Sequence, residues 1–175
     1  MSGTVTVRSL RADEAAAFLE LRKTADAQSE FLLYEAGERK TTVEEQARMM
    51  GEFLSSANSA MLVAEDAQGA LVGYLTARGG AARRNRHAAE IVIAILDGYR
   101  GMGIGSRLFG ALEEWARGAG VSRLSLGLMA GNVHAKALYE KMGFREEGLR
   151  HRAFFLQGRY VDEILMYKLL DIAGE

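Results

Sequence analysis

No cysteine occurs anywhere in the 175 residues. That excludes disulfides, thiolate metal sites and an acyl-enzyme formed on a cysteine, and no metal is expected. Proline is absent too, so turns fall to Gly, Asn and Asp. There is no long apolar run, so no membrane span or membrane partner is expected. The opening Met1–Val7 lacks a basic region followed by an apolar stretch. No secretory leader is therefore expected, and these features suit a cytoplasmic protein. Charge of either sign is also nearly cancelled, with 22 Lys+Arg against 23 Asp+Glu. That balance does not suggest a nucleic-acid partner, and an anionic ligand has to be held by a local site. What the chain does have is apolar material, 49% of its residues. That suffices for the core of one domain spanning 1–175.

Along the chain, Thr4–Leu10 alternates like a first strand, and Asp13–Ala27 has the Ala/Leu content of a helix with Phe18, Leu21 and Ala25 on one face. Gly37–Lys40 is a polar break. Thr42 followed by Glu45 is a capping-box pattern opening a second helix, within which the Met49–Met50 pair is read as core. Met61–Glu65 and Leu71–Arg78 are strands around an Asp66–Gly69 turn. Glu90–Leu96 is nearly continuous in apolar residues and predicts a buried central strand. Gly103–Gly118 is an amphipathic helix, Arg123–Met129 a strand and Asn132–Met142 a short helix. Phe144–Arg152 and Tyr160–Leu170 form two last strands around Gln157–Gly158. The order β α α β β β α β α β β predicts an α/β fold with a mixed sheet and helices on both faces.

The most informative stretch runs from the central strand through Asp97-Gly98-Tyr99-Arg100-Gly101-Met102-Gly103-Ile104-Gly105 into a helix. Closely spaced glycines let the backbone approach a ligand and gather its N–H groups. The helix start adds partial positive charge. Arg100 and Arg107 flank the turn, and no acid lies between residues 98 and 112. A pyrophosphate suits such a place. A dinucleotide-binding unit would place Gly-x-Gly-x-x-Gly near the start of the chain, and a P-loop requires Gly-Lys-Ser/Thr. Neither pattern occurs here, which leaves a phosphate-binding turn or a purely structural one.

At Arg100-x-x-Gly103-x-Gly105 the chain resembles the acyl-CoA signature of the Gcn5-related N-acetyltransferases. A second stretch, Asn132-Val133-His134-Ala135-Lys136-Ala137-Leu138-Tyr139-Glu140-Lys141-Met142-Gly143-Phe144, is similar to that family's Asn-x-x-Ala-x-x-Leu-Tyr-x-x-x-Gly-Phe pattern. The resemblance extends over roughly residues 60–170. It implies a mixed, predominantly antiparallel sheet with helices on both faces. It also implies acetyl-CoA as co-substrate and an amine as acceptor: an amino acid, a polyamine-like small molecule or a peptide N-terminus. A protein N-terminus, such as that of a ribosomal protein, and a non-catalytic acyl-CoA sensor are the alternatives. A homodimer through the last strands is common among relatives.

The same resemblance implies roles for individual residues. The turn amides of Gly101, Met102, Gly103, Ile104, Gly105 and Ser106, with Arg100, would hold the pyrophosphate. The strand backbone at Ile93, Ala94 and Ile95 would pair with the pantetheine amides, and Asn132 would bond the same arm. Asn132 is equally suited to cap the helix that follows it. Tyr139 would place its hydroxyl beside the CoA sulfur as the acid, its ordinary pKa of about 10 lying near that of a thiol. From its helix alone it is a core aromatic. Glu90 is the candidate base, although the glutamate of histone-acetylating relatives aligns one residue away, at Ala89, and a one-residue shift changes the strand face. His87 is the alternative base or relay on the substrate side. Glu35, between the first two helices, is placed to pair with a cationic amine. Arg83, Arg84 and Arg86 form either a solvated loop or a phosphate contact. Freeing a lysine-like amine at pH 7 costs about 4.6 kcal/mol, against about 1 kcal/mol for an α-amine. A weakly defined base therefore favours an α-amino acceptor.

Overall fold

The computed structural model describes residues 4–171. Residues 1–3, where the stretch read for a leader begins, and residues 172–175 lie outside the described residues. The elements in order are β1 (Thr6–Ser9), a 3-10 turn (Ala12–Glu14), α1 (Ala15–Gln28), α2 (Val43–Leu54), β2 (Ala60–Glu65), β3 (Leu71–Gly79) and β4 (Ala88–Ile95). A second 3-10 turn (Asp97–Tyr99), α3 (Ile104–Ala119), β5 (Arg123–Met129), α4 (Val133–Lys141), β6 (Arg145–Leu156) and β7 (Arg159–Leu169) complete it. The strands form one seven-stranded sheet in the order β1-β2-β3-β4-β5-β7-β6. Every adjacent pair is antiparallel except β4 with β5. This is the mixed, mostly antiparallel α/β architecture expected from the sequence.

Strand alternation divides the core into two layers. Leu62, Ala64, Leu75 and Ile91 face α3, whose Leu108, Phe109, Leu112 and Ala116 are fully buried. Met61, Val63 and Tyr74 face the opposite way, onto Phe18, Leu21 and Ala25 of α1 and Met50 of α2. The predicted apolar face of α1 is therefore the one that packs. α2 starts where the sequence places it, with Thr42 and Glu45 forming a reciprocal capping box.

Three expectations need correction. The strand over Glu90–Leu96 is central, yet not buried throughout: Val92 is 48% exposed and Glu90 is exposed. The reason is that both point to the α1–α2 face, where they border a cavity instead of packed side chains. The first of the last two strands is longer than Phe144–Arg152 and runs to Leu156, passing an irregularity between Arg150 and Phe154. There Arg152 has φ +53° and its N–H donates to Asp162 Oδ1 at 2.7 Å, so the chain resumes pairing instead of ending. Of the Met49–Met50 pair only Met50 is core; Met49 is 36% exposed.

Two polar ties hold the outer elements to the sheet. Arg107 on α3 donates to the Val5 carbonyl at 2.6 Å. Arg8 on β1 is shared between Glu65, at 2.6 Å from Nε, and both oxygens of Glu14. The Arg8 guanidinium holds the Glu14 carboxyl at about 2, against an ordinary value of 4.5. A carboxyl depressed on folding contributes stability that is complete above its unfolded pKa and is lost as pH falls through the folded one. Glu14→Gln should therefore flatten the loss of stability between pH 5 and 2. Urea midpoints of both proteins at pH 6 and pH 3 check this; equal pH sensitivity would show that the Glu14 pair is not responsible.

Candidate active site

β4 and β5 pair only at Ala88↔Arg123, Ala89↔Leu124 and Glu90↔Ser125. On its other edge β4 stays paired with β3 as far as Ile95. From Ile91 onward the edge of β4 that faced β5 therefore presents N–H and C=O groups to a gap. Backbone groups so placed need partners, and an extended ligand with amides of its own supplies them. The gap opens into a cavity of about 1000 Å³. Its walls come from β4, β5, β6, β7, α4, the start of α3, and the end of α1 with the segment after it.

At the end of β4 the turn is fixed from both sides. Tyr99 donates to Asp66 Oδ2 at 2.7 Å, tying the turn to the β2–β3 hairpin. Arg100 folds back, donating to the Ile95 carbonyl at 3.1 Å and pairing with Asp97 at 2.7 Å. Gly101 and Gly103 have φ of +75° and +74°, which favours glycine. A Cβ at either would stand in open space, so backbone conformation and not packing requires glycine there. Gly105 differs. It lies within α3, where a Cβ would come 2.7 Å from Leu138 Cδ2; its small size lets α4 approach the start of α3. The first N–H after the turn to close on the helix is that of Arg107, to Gly103 at 3.2 Å. The amides ahead of it are the orphan donors of a helix start, aimed at the cavity end.

All the residues expected to bind the co-substrate line this cavity except one: Ile93, Ala94, Ile95, Arg100, Gly101, Gly103, Ile104, Gly105, Ser106 and Asn132 do, and Met102 does not. Arg107 does not line the cavity; its guanidinium donates to the Val5 carbonyl, just ahead of β1. Asn132 caps α4, accepting from Ala135 N–H at 3.2 Å, which leaves its amide NH₂ for a ligand.

Tyr139 is 7% exposed and lines the cavity. Phe109 and Phe144 pack round its ring, with centroids 5.8 Å and 6.2 Å away. Burial pushes its phenol up to about 12. The core position and the cavity position expected as alternatives are thus one position: the ring is core and the side chain borders the cleft.

The acids are distributed differently from expectation. Glu90 lies opposite Arg78 in an unbroken β3–β4 register, on the α1–α2 side of the sheet. It borders the large cavity and a smaller one of about 210 Å³ on that face. His87 is exposed and borders neither cavity; its carbonyl accepts from Ser122 and Arg123 where β4 and β5 are still paired. Glu35 is exposed and away from both cavities, its backbone N–H held by Glu38 at 2.9 Å. The wall in that region is apolar instead, formed by Phe31, Leu32 and Leu33. Arg83, Arg84 and Arg86 are exposed outside both cavities. One acid was missed. Glu163 on β7 borders the large cavity, paired with Arg150, and its carboxylate occupies the space a side chain at Gly127 would fill. Only the β5–β7 pairing brings these positions together.

The sequence profile described as "Acetyltransferase (GNAT) family" matches residues 21–144. An acetyltransferase of that family from Streptococcus pneumoniae superposes with a TM-score of 0.90 at 27% identity, covering 96% of this chain and 100% of the other. A phosphinothricin acetyltransferase from Sinorhizobium meliloti, solved in complex with acetyl-CoA, gives a TM-score of 0.83 at 24% identity over 95% of this chain and 89% of its own. By sequence, the L-methionine sulfoximine/L-methionine sulfone acetyltransferase of Pseudomonas aeruginosa is 30% identical over 112 residues, 63% of this chain and 65% of that protein. The matched segments span from 28% to 65% of the lengths of the curated relatives.

The raised phenol can be measured directly. Tyr139→Phe should leave the ultraviolet phenolate signal gained up to pH 11 almost unchanged, because Tyr139 ionises only about pH 12. Loss of a full tyrosine's share of that signal would show an ordinary phenol.

Proposed function

This chain belongs to the acetyltransferase (GNAT) family, and from that premise we propose that it moves the acetyl group of acetyl-CoA directly to a primary amine. The observation that carries this reading is the split between β4 and β5, ending at the amide-rich start of α3 with Tyr139 on its wall. A long, narrow molecule with a pyrophosphate at one end and amides along its arm matches that sequence of features. Acetyl-CoA supplies the activated acyl group and a thiolate leaving group. The chain's own residues orient the two substrates and manage two protons.

Tyr139 supports the leaving-group side. Against a thiol of ordinary pKa, about 8.5, a phenol pushed up to about 12 is the weaker acid by about 5 kcal/mol. The role this favours is a hydrogen bond donated to the sulfur as charge develops, with the phenol staying neutral across the working pH range. That revises the matched acid expected from its ordinary value. Glu90 supports the amine side. It borders both cavities, so it stands where an amine arriving from the α1–α2 face would meet the cleft. The even register of β4 with β3 keeps it on that face without a bulge. The amine of an amino acid must lose a proton before it attacks, and a carboxylate at Glu90 stands where it would accept one. An amino-acid derivative of the sort named for the Pseudomonas relative is the acceptor class we favour.

The test is acetyl-CoA-dependent thiol release across L-amino acids, L-methionine sulfone, polyamines and short peptides. The chain contains no cysteine, so it adds no thiol background. Release with α-amino acids is the expected result. Release with peptides alone would move the acceptor to protein N-termini, and no release with any amine, beside measurable acetyl-CoA binding, would contradict catalysis.

Two substitutions probe the parts. Tyr139→Phe should lower kcat roughly 10- to 1000-fold with little change in acetyl-CoA affinity; an unchanged kcat removes the hydroxyl from the mechanism. Gly103→Val puts a branched side chain at a positive φ, which costs about 1–2 kcal/mol in local strain, and into the space above the turn. Acetyl-CoA affinity measured by calorimetry should fall at least about tenfold, equivalent to about 1.4 kcal/mol. Wild-type affinity would dissociate the turn from phosphate binding.

A further inference from the structure

The smaller cavity, about 210 Å³, lies against the α1–α2 face of the sheet. At about 30 Å³ per liquid water it holds roughly seven waters, enough for the head of a small amino acid. Its lining is chemically lopsided. Arg22, Gln46, Tyr74, Thr76 and Arg78 offer donors, and Glu90 is its single acid. Arg22 is half-buried on α1, its guanidinium 5.9 Å from the Phe18 ring centre. Its nearest fixed partner is neutral: Nη1 donates to Gln46 Oε1 at 3.0 Å. Among the described residues no carboxylate pairs with it. The neighbouring acid, Asp26, is taken by Arg39 through two bonds of 2.6 and 3.1 Å. Burial, and then the like charge of Arg39, hold the Arg22 guanidinium below its ordinary value. Gln46 is fully buried, and its Nε2 is the buried side-chain polar atom without a partner among the described residues.

Such an arrangement costs stability unless something arrives to use it. A half-buried cation without an anion and a buried amide without an acceptor each carry a desolvation penalty. Both are relieved by one group, a carboxylate, which accepts from a guanidinium fork and from neighbouring donors. Polarity along the cavity then orders the ligand. Arg22, Gln46 and Tyr74 supply donors together at one part of the lining, Arg78 lies across from Glu90 on the neighbouring strand, and Glu90 and Val92 are shared with the large cavity that reaches Tyr139.

We propose that Arg22, Gln46 and Tyr74 form the subsite for the carboxylate of the acetyl acceptor, so that the acceptor is a free α-amino acid whose amine lies toward Glu90. This rests on the acetyltransferase reading above and narrows its acceptor. Polyamines lack the carboxylate, and a peptide N-terminus has an amide in its place.

The experiment compares each L-amino acid, including L-methionine sulfone, with its own carboxamide in the thiol-release assay. Wild-type kcat/KM should favour the acid by about 10- to 100-fold, the range of one charge-assisted hydrogen-bonded contact. In Arg22→Gln that ratio should fall to near one, with Arg22→Lys recovering part of it. Gln46→Glu gives Arg22 an internal counter-ion; it should raise the thermal midpoint while removing the preference, so the test stands even where Arg22→Gln folds poorly. Carboxamides or peptides turned over as well as free acids, or a preference untouched in both Arg22→Gln and Gln46→Glu, would overturn the subsite and leave the acetyltransferase intact. If nothing is turned over, the acetyltransferase reading fails. Calorimetry with the same probes on the CoA-loaded protein then decides the subsite: Arg22-dependent binding of the acids alone supports it, and no such binding overturns it.

Discussion

The site exists because β4 and β5 are parallel neighbours that stay together for only three register pairs. A strand that loses its partner while still held on its other edge by β3 exposes a row of backbone donors and acceptors inside the fold, not at its rim. Natural sheets avoid leaving such edges open unless something occupies them. Here the opening runs through the whole sheet, so the two faces communicate. The α3–α4 side brings helix amides, Asn132 and Tyr139; the α1–α2 side brings Glu90 and the donors around Arg22. One substrate on each face, meeting in the gap, is the arrangement that the split permits.

Holding the gap open takes reinforcement away from it. Arg107 fastens α3 to the chain before β1, and Lys168 on β7 bonds both Glu113 on α3 at 2.5 Å and the Met142 carbonyl beyond α4 at 2.7 Å. These ties cross between layers and elements distant in sequence. They fix α3 and α4 relative to both halves of the sheet, so that the amides at the start of α3 and the hydroxyl of Tyr139 keep their places without a ligand. The buried Arg39–Asp26 pair does the same for the segment between α1 and α2, which carries the apolar wall of Phe31, Leu32 and Leu33. Burying that pair is tolerable only because it is bidentate; losing either partner would leave an uncompensated charge in the core.

What could be read from the chain alone divides along a physical line. The Gly101–Gly105 turn and the Asn132–Phe144 helix were legible because their chemistry is local: positive φ, a helix start and a cap are written in consecutive residues. The capping box at Thr42 and Glu45 belongs to the same kind. Residues whose roles depend on tertiary pairing were not legible. Glu163 reaches the cavity because β7 lies beside β5 and Gly127 leaves it room. Arg22 and Gln46 meet because α1 and α2 pack together on one face. Glu35 and His87 show the converse: both have suitable chemistry and lie near the site in sequence order, yet the fold leaves them exposed and outside both cavities. Which face of the sheet Glu90 takes depended on strand register, and the unbroken β3–β4 ladder sets it on the α1–α2 side.

The central claim is that the unpaired half of β4 and the start of α3 are completed by acetyl-CoA. Hydrogen–deuterium exchange with and without acetyl-CoA tests it at the level of single amides. The account predicts that added acetyl-CoA slows exchange selectively in residues 91–95 and 101–106, with little change where β4 already pairs with β5. Binding that leaves those amides exchanging as before, with protection elsewhere on the sheet, would contradict it.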